Sequence, residues 1–209
     1  MNKLFLVFIL LLSSVFSFAQ EIHFFDENGR RITKEQFERQ RLNINKLGLS
    51  FQKGKVTETR LVFRTKTGIL SQEIRNTILS NLQDAIGSEI NRSEMIIINY
   101  HQGYGNCSHG TGASLPAMKV AISEYKSQIK RLGQTSEYHM YATKDGLRDH
   151  YGLINWYPDA NLLVEKTFFK YKYPCRSFVI IKPNGEYYAY FGEYSRDQVI
   201  KQAKKFLSP

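Results

Sequence analysis

The C-terminal segment of the chain constrains its fold more than any other part. The apolar run Ser177–Ile181 is followed by Pro183-Asn184-Gly185 and then by Tyr187–Phe191. Two strand-forming runs around such a turn predict a β-hairpin. Ser195 and Gln198 have the spacing of a capping box, which predicts a closing helix with apolar residues on one side. The segment therefore predicts two antiparallel strands of a sheet and a helix that packs on that sheet.

The segment before the hairpin alternates between strand and helix patterns. Met95–Tyr100 is a nearly uniform apolar run, which is typical of a strand buried on both faces. Apolar residues recur at helical spacing over Ser114–Leu132, and Tyr138–Thr143 predicts the next strand. This strand–helix–strand order predicts a parallel pair with a right-handed crossover. The less regular sequence that follows predicts a loop with a helical turn over 144–159, a short helix over 161–169 and a linker over 170–176.

The sequence before residue 95 predicts further helices and a strand. Thr33 and Gln36 have capping-box spacing, which predicts a short helix over Lys34–Arg41. Alternation over Val56–Thr65 predicts a strand, and apolar residues at nearly every fourth position predict a helix over Gln72–Ile86. We expect that helix to pack against the sheet of the 95–209 core, with the 56–65 strand at the edge of the sheet. Three glycines are interpreted as a break, a turn into the helix and the end of the helix: Gly48, Gly68 and Gly87.

The N-terminus has the pattern of an export signal. Lys3 precedes the unbroken apolar run Leu4–Leu12, and Ser17-Phe18-Ala19 supplies small residues at both positions that a signal peptidase reads. We predict cleavage before Gln20 and an exported, soluble chain, periplasmic or secreted, in a space where disulfides persist. A retained N-terminal anchor is the alternative, although the apolar run is short for a bilayer span. No later segment has the length and apolar character of a transmembrane helix.

The composition excludes several classes of protein and leaves the partner open. With 42% hydrophobic and 23% charged residues, the chain is not disordered, collagen-like or a coiled coil. There are 29 Lys and Arg residues against 19 Asp and Glu, and the formal net charge is +10. Nucleic acid is not the default partner of an exported chain, so we expect an unknown protein or an envelope component instead. A solvated basic surface is the simplest interpretation of the charge.

The C-terminal motifs resemble those of the thioredoxin-like superfamily, in particular its exported reductases. The resemblance rests on the segment 177–186 with the following Gly192 and Ser195, and on Ile97-Ile98-Asn99-Tyr100 before a loop with glycines and a cysteine. It implies an α/β fold with a thioredoxin-like core, a mixed β-sheet flanked by helices, over 95–209. Residues 1–19 would then be the signal peptide and 20–94 an N-terminal α+β extension.

Two departures from the family pattern affect the expected chemistry. The family carries a Cys-x-x-Cys pair at the start of the first core helix, where the second thiol resolves the mixed disulfide. This chain has a single thiol in that loop, within Asn106-Cys107-Ser108-His109-Gly110. The position of the family's cis-proline falls on Arg176, and Pro174 lies two residues before it. Conventional dithiol chemistry is therefore not expected.

The resemblance implies that the loops containing Cys107 and Cys175 lie side by side, which leaves several interpretations. The two cysteines can form a structural disulfide. Cys107 can instead be a reactive thiol near His109, with a pKa lowered by the helix N-terminus, or Cys107 and Cys175 can form a reducible pair. A metal site that also includes His101 is least favoured, because the spacing matches no compact motif. We expect no metal and no cofactor.

The sequence therefore predicts an exported, redox-degenerate thioredoxin-like protein that acts as a binding or structural module. The alternative is an enzyme, an atypical thiol–disulfide oxidoreductase with Cys107 as the catalytic nucleophile and Cys175 as the resolving partner. One further segment, Lys166–Lys182, interleaves cations with aromatic residues. Such a pattern can bind bases or sugars, but we prefer a half-buried connection with its aromatic residues turned inward.

Overall fold

The computed structural model describes residues 21–103, 114–147 and 152–207. The chain divides into two compact units, one ending at Phe63 and the other beginning at Arg64. The second unit therefore includes a strand and a helix that lie before residue 95, the predicted start of the core. The export signal predicted over residues 1–19 lies outside the described residues. None of the described helices combines the length and the apolar character needed to cross a bilayer.

In its described residues, 21–63, the first unit is a four-stranded sheet with one helix. The strands lie in the order β2-β1-β4-β3, and β1 runs parallel to β4 while the other neighbours are antiparallel. The predicted capping box is confirmed, because the Thr33 hydroxyl accepts from the Gln36 amide and the Gln36 side chain accepts from the Thr33 amide. The elements are β1 (Glu21–Phe25), β2 (Arg31–Ile32), α1 (Lys34–Arg41), β3 (Lys46–Lys53) and β4 (Val56–Phe63).

The predicted break at Gly48 is wrong, because this residue lies inside β3. A Cβ atom at Gly48 would lie 2.9 Å from Cζ of Phe37, which is closer than side-chain carbons approach one another. Phe37 belongs to α1 and is 2% exposed. The glycine therefore makes room for the aromatic ring that packs α1 on the sheet.

Over 64–103, 114–147 and 152–207, the second unit is a six-stranded mixed sheet with four helices. The strands lie in the order β5-β10-β9-β6-β7-β8. A 3-10 turn, Ala160–Leu162, leads directly into the helix Leu163–Phe168. The strands are β5 (Thr65–Ile69), β6 (Met95–His101), β7 (Thr135–Tyr141), β8 (Trp156–Pro158), β9 (Arg176–Ile181) and β10 (Glu186–Tyr190). The helices are α2 (Gln72–Ile86), α3 (Leu115–Arg131), α4 (Leu163–Phe168) and α5 (Arg196–Leu207).

The order and pairing of these elements confirm the predicted fold class. The strands β6 and β7 are parallel and are joined by the crossover that contains α3. The strand β9 returns antiparallel to β6, β10 pairs with β9 as the predicted hairpin, and α5 closes the chain. This is a thioredoxin-like core, an α/β fold with a mixed sheet flanked by helices, preceded by an α+β unit.

The predicted strand over Val56–Thr65 is two strands in different sheets. The first, β4, ends at Phe63 within the first unit, so the expectation that it borders the core sheet is wrong. The edge of that sheet is formed instead by β5, which pairs with β10. Gly68 is part of β5 rather than a turn, and a Cβ atom there would lie 2.7 Å from Cε1 of Tyr187.

Three other expectations along the core need correction. The strand predicted over Tyr138–Thr143 starts earlier, at Thr135, because its polar first residues pair in parallel with the start of β6. The segment predicted as a loop over 144–159 includes the short strand β8, which pairs with the end of β7. The helix predicted over 161–169 is the 3-10 turn followed by α4.

The helix α2 has the predicted bounds and packs against the core as predicted. Ile78, Leu79 and Leu82 on one side of it are fully buried. The buried guanidinium of Arg75 donates from Nε to the Lys182 carbonyl at 3.0 Å and from Nη2 to the Arg92 carbonyl at 2.8 Å. Burial lowers the pKa of Arg75. Because Lys182 precedes the hairpin turn, these bonds tie α2 to the most clearly predicted part of the fold.

Candidate functional site

The segment before β9 is held by a buried amide at the end of β6. Gln102 follows β6 directly and is 2% exposed. Its Nε2 donates to the Tyr171 carbonyl at 3.0 Å, and its Oε1 accepts from the Tyr173 amide at 2.9 Å. Both ends of the side-chain amide are thus used, and the backbone two to four residues before Cys175 is fixed against the sheet.

Aromatic packing buries the same segment. The ring of Tyr173 stacks on Phe191 with centroids 4.5 Å apart and an interplanar angle of 7°. Phe168 and Phe169 are also buried, while Lys166, Lys170 and Lys172 are exposed. Burial raises the pKa of Tyr173. The segment before β9 therefore has its main aromatic side chains turned inward and its lysines outward. This is the arrangement that we preferred on the basis of the sequence.

The predicted site residues that the structure describes lie together at the start of β9. Cys175 is 9% exposed. Its φ of 68° lies in the left-handed region, which residues other than glycine rarely adopt. Arg176 is the first residue of β9, opposite His101, and Pro174 lies in the preceding loop. The described residues contain no cis peptide bond.

The other predicted site residues are Cys107 and the histidines near it in the sequence. Cys107 and His109 lie outside the described residues, so the pairing of Cys107 with Cys175 remains a prediction. His101 is 4% exposed, and its Nε2 lies 2.8 Å from the Asp145 carbonyl oxygen. This ring nitrogen therefore has a hydrogen-bond partner within the chain. Among the described residues, no three His, Cys, Asp or Glu side chains are grouped as metal ligands would be.

A buried chain of hydrogen bonds lies on the side of the sheet that α3 and α5 cover. Tyr194 donates from its hydroxyl to Oδ1 of Asn99 at 2.6 Å, and Asn99 donates from Nδ2 to Oε1 of Glu137. The same carboxylate oxygen lies 2.7 Å from Nε2 of His139. The register explains this arrangement, because Asn99 of β6 lies directly beside His139 of β7. Nδ1 of His139, on the other side of the imidazole ring, is buried without a hydrogen-bond partner among the described residues.

Two aromatic side chains complete the surroundings of this chain of hydrogen bonds. The ring of Trp156 meets the ring of His139 edge to face at a centroid distance of 5.0 Å. The Tyr125 hydroxyl of α3 is buried without a hydrogen-bond partner among the described residues. Burial, together with the nearby charge of Glu137, raises the pKa of Tyr125.

A second buried network lies on the opposite side of β6. The Tyr100 hydroxyl donates to Oδ2 of Asp159 at 2.6 Å. Asp159 also accepts from the backbone amides of Val164 and Glu165, at 3.1 and 3.0 Å, at the start of α4. Burial has the largest effect on the pKa of Tyr100 and raises it, and the hydrogen bond to Asp159 raises it further. The network joins the central strand to α4.

Sequence reasoning missed both networks and the role of Gln102. One local signal was present, since Asn99 is a polar residue that interrupts the apolar run of β6. Its partners Glu137 and Tyr194 are distant in the sequence, and no spacing rule connects them to Asn99. Asp159 likewise looks like an ordinary loop residue in the sequence. Its role as a buried hydrogen-bond acceptor depends on the backbone amides at the start of α4.

Comparisons with known proteins do not show a family for this chain. No established family profile matches the chain, and no curated protein matches it. One structural neighbour is a secreted disulfide oxidoreductase of Mycobacterium tuberculosis that is homologous to E. coli DsbE. The two chains share 8% identity with a TM-score of 0.33, over 54% of this chain and 82% of the neighbour. A likeness this low carries no argument, so the fold assignment rests on strand order and pairing.

Proposed function

We propose that this protein is an exported thioredoxin-like protein that has lost dithiol redox activity and acts as a binding or structural module. In this proposal Cys107 and Cys175 form a structural disulfide. The observation that carries it is the burial of Cys175 in a segment fixed by Gln102.

The argument starts from what thiol–disulfide exchange requires. A thiolate must approach one sulfur of the bond in line, so a redox-active disulfide needs an accessible sulfur. Cys175 is only 9% exposed, and the stacked Tyr173 and Phe191 pack close by. Direct attack at the sulfur of Cys175 is therefore sterically hindered.

The sequence around Cys107 supports the same conclusion. No second cysteine occurs within three residues of it, so a mixed disulfide formed at Cys107 has no local resolving thiol. A bond to Cys175 would close a long loop, and the loss of unfolded-chain entropy then stabilises the fold by about 4 kcal/mol. The bond would thus serve stability.

Export is the second part of the proposal. It is supported by Lys3, the apolar run Leu4–Leu12 and the small residues before Gln20. The intact mass of protein recovered from the exporting cell tests it. We expect a chain that starts at Gln20, and a mass that still includes Met1 in a membrane fraction would contradict export by cleavage.

The second candidate function is an atypical thiol–disulfide oxidoreductase, with Cys107 as the nucleophile and Cys175 as the resolving partner. The left-handed backbone of Cys175 favours it, since strained residues are found more often at functional sites. In that case the disulfide is readily reduced and Cys107 attacks the substrate disulfide.

Insulin reduction with dithiothreitol as reductant separates the two functions. We expect no turnover above the uncatalysed rate for the wild-type protein, and an equal loss of stability in Cys107→Ser and Cys175→Ser, because each change removes the same bond. A conventional thioredoxin is the positive control. Turnover that Cys107→Ser abolishes would establish the enzyme instead. Loss of stability in Cys175→Ser alone would show that the two cysteines are not paired.

A further inference from the structure

The helices α3 and α5 lie side by side on one face of the six-stranded sheet. Both contribute to one core cluster beneath them, through Tyr125 and Ile129 of α3 and through Val199, Ile200 and Ala203 of α5. A shallow groove lined by Gln128 and Asp197 runs between the two helices. We refer to the outer surface of Leu115–Arg131 and Arg196–Leu207 as the α3/α5 face.

Positive charge is concentrated on the α3/α5 face. The two helices carry eight basic residues and only two acidic ones. The helix α2, which adds nothing to the cluster beneath this face, has Glu73, Asp84 and the buried Arg75, and α4 has Glu165 and Lys166. The basic residues of the α3/α5 face are Lys119, Lys126, Lys130, Arg131, Arg196, Lys201, Lys204 and Lys205.

These charged residues lie at the surface together with apolar side chains. Every basic residue of the α3/α5 face except the half-buried Arg196 is exposed. Three apolar side chains of the same helices are also exposed, Leu115 by 38%, Val120 by 57% and Leu207 by 41%. A basic helical surface with scattered apolar residues is typical of proteins that lie on a membrane interface.

We propose that the α3/α5 face binds the surface of an anionic lipid bilayer. Six of its eight basic residues are lysines, which act as point charges on flexible stems and suit a diffuse array of lipid phosphates better than a bidentate ligand. Each lysine close to an anionic surface strengthens binding by roughly fivefold. The exposed apolar side chains add contacts in the headgroup region.

A nucleic acid fits this face less well. Proteins that bind single strands stack bases on exposed aromatic side chains within a basic groove. The aromatic residues of these helices, Tyr125 and Phe206, pack against the core cluster instead. The α3/α5 face therefore offers charge without a stacking surface.

Vesicle binding by the exported, disulfide-bonded protein tests the proposal. The probes are vesicles of phosphatidylcholine alone and of equal parts phosphatidylcholine and phosphatidylglycerol, with binding measured by co-sedimentation. We expect binding only to the anionic vesicles and a steep loss of binding as salt increases, because the attraction is screened. Equal binding to both vesicle types would overturn the proposal.

Two variants with the same number of reversed charges locate the surface. The first changes Lys119, Lys130, Lys201 and Lys205 to Glu on the α3/α5 face. The matched control changes four exposed lysines elsewhere to Glu: Lys66, Lys144, Lys166 and Lys170. We expect the first variant to bind anionic vesicles at least roughly 100-fold more weakly and the control to lose less than roughly fivefold.

The remaining outcomes also decide the question. An equal loss in both variants would show that net charge, and not the α3/α5 face, drives binding. Binding to single-stranded DNA or dextran sulfate without binding to anionic vesicles would show that the ligand is a polyanion other than a lipid surface. That result would overturn the proposal. If the first variant does not fold by circular dichroism, the same four lysines changed to Gln are expected to give a smaller loss in the same direction.

Discussion

The substitution Gln102→Met tests how the segment that contains Cys175 is held in place. Methionine is unbranched and close to glutamine in volume, so the change keeps the packing while it removes both hydrogen bonds of the side-chain amide. These are the donation to the Tyr171 carbonyl at 3.0 Å and the acceptance from the Tyr173 amide at 2.9 Å. The variant thus isolates the contribution of the two bonds.

The expected loss follows from the exposure of the two backbone partners. Tyr173 is 3% exposed, so its N–H cannot reach water and its desolvation costs about 1–3 kcal/mol. Tyr171 is only half-buried, so water can satisfy its carbonyl and this bond contributes less. We expect the loss of both hydrogen bonds to lower the free energy of unfolding by about 2–3 kcal/mol.

Urea denaturation followed by circular dichroism measures this loss. The matched control is Gln134→Met, because the Gln134 side chain is exposed and we expect it to change the free energy of unfolding by less than about 0.5 kcal/mol. A second variant, Gln102→Glu, keeps the acceptor for Tyr173 but places a carboxylate oxygen against the Tyr171 carbonyl, so it should destabilise at least as much as methionine. If Gln102→Met and the control have the same stability, Gln102 does not hold the segment.

Three further changes test other parts of the structure by the same unfolding measurement. Because the φ of Cys175 favours glycine, Cys175→Gly should be about 1 kcal/mol more stable than Cys175→Ala, and equal stabilities would argue against the left-handed backbone. Tyr100→Phe leaves Asp159 without its hydroxyl donor and should cost about 1–3 kcal/mol, whereas an unchanged stability would show that this bond contributes nothing. The hydrogen bond from Lys46 lowers the pKa of Glu27, so its contribution is complete above the ordinary glutamate pKa and is lost as the pH falls through the lowered value. Glu27→Gln should therefore be less sensitive to acid than the wild type in that range, and an identical acid dependence would contradict this account.

Local signals in the sequence predict the helices and the hairpin well. The bounds of α1 and α2 agree with the prediction, because a capping box opens α1 and a left-handed Gly87 ends α2. The closing capping box is also present, since the Ser195 amide donates to Gln198 Oε1 and the Gln198 amide donates to Ser195 Oγ. In each case the residues that determine the boundary lie within a few positions of it, so short-range chemistry is sufficient.

Glycines show why other parts of the fold could not be predicted. Gly48 is interpreted from the sequence as a break and Gly68 as a turn into the helix, but each lies in a strand where an aromatic ring from another element occupies the space of a side chain. Phe37 packs over the first and Tyr187 over the second. Conformational freedom is a local property of glycine, whereas this role depends on tertiary packing.

The candidate site shows the same limit more strongly. Sequence reasoning selected Cys175 through a family resemblance, and the structure adds its burial and its left-handed backbone. The residue that fixes the segment, Gln102, belongs to a different element and has no motif around it. The partners of Asn99 are likewise brought together only by the parallel pairing of β6 with β7 and by the approach of Tyr194.

The reduction potential of the disulfide that includes Cys175 tests the central claim most directly. Equilibration with dithiothreitol mixtures, followed by alkylation and mass spectrometry, gives the fraction reduced at each potential and identifies the partner as Cys107 or not. A structural bond predicts a potential below about −300 mV, as in secreted proteins that resist the glutathione pool. A potential between about −120 and −270 mV, the range of dithiol oxidoreductases, would contradict the account and favour Cys107 as a nucleophile.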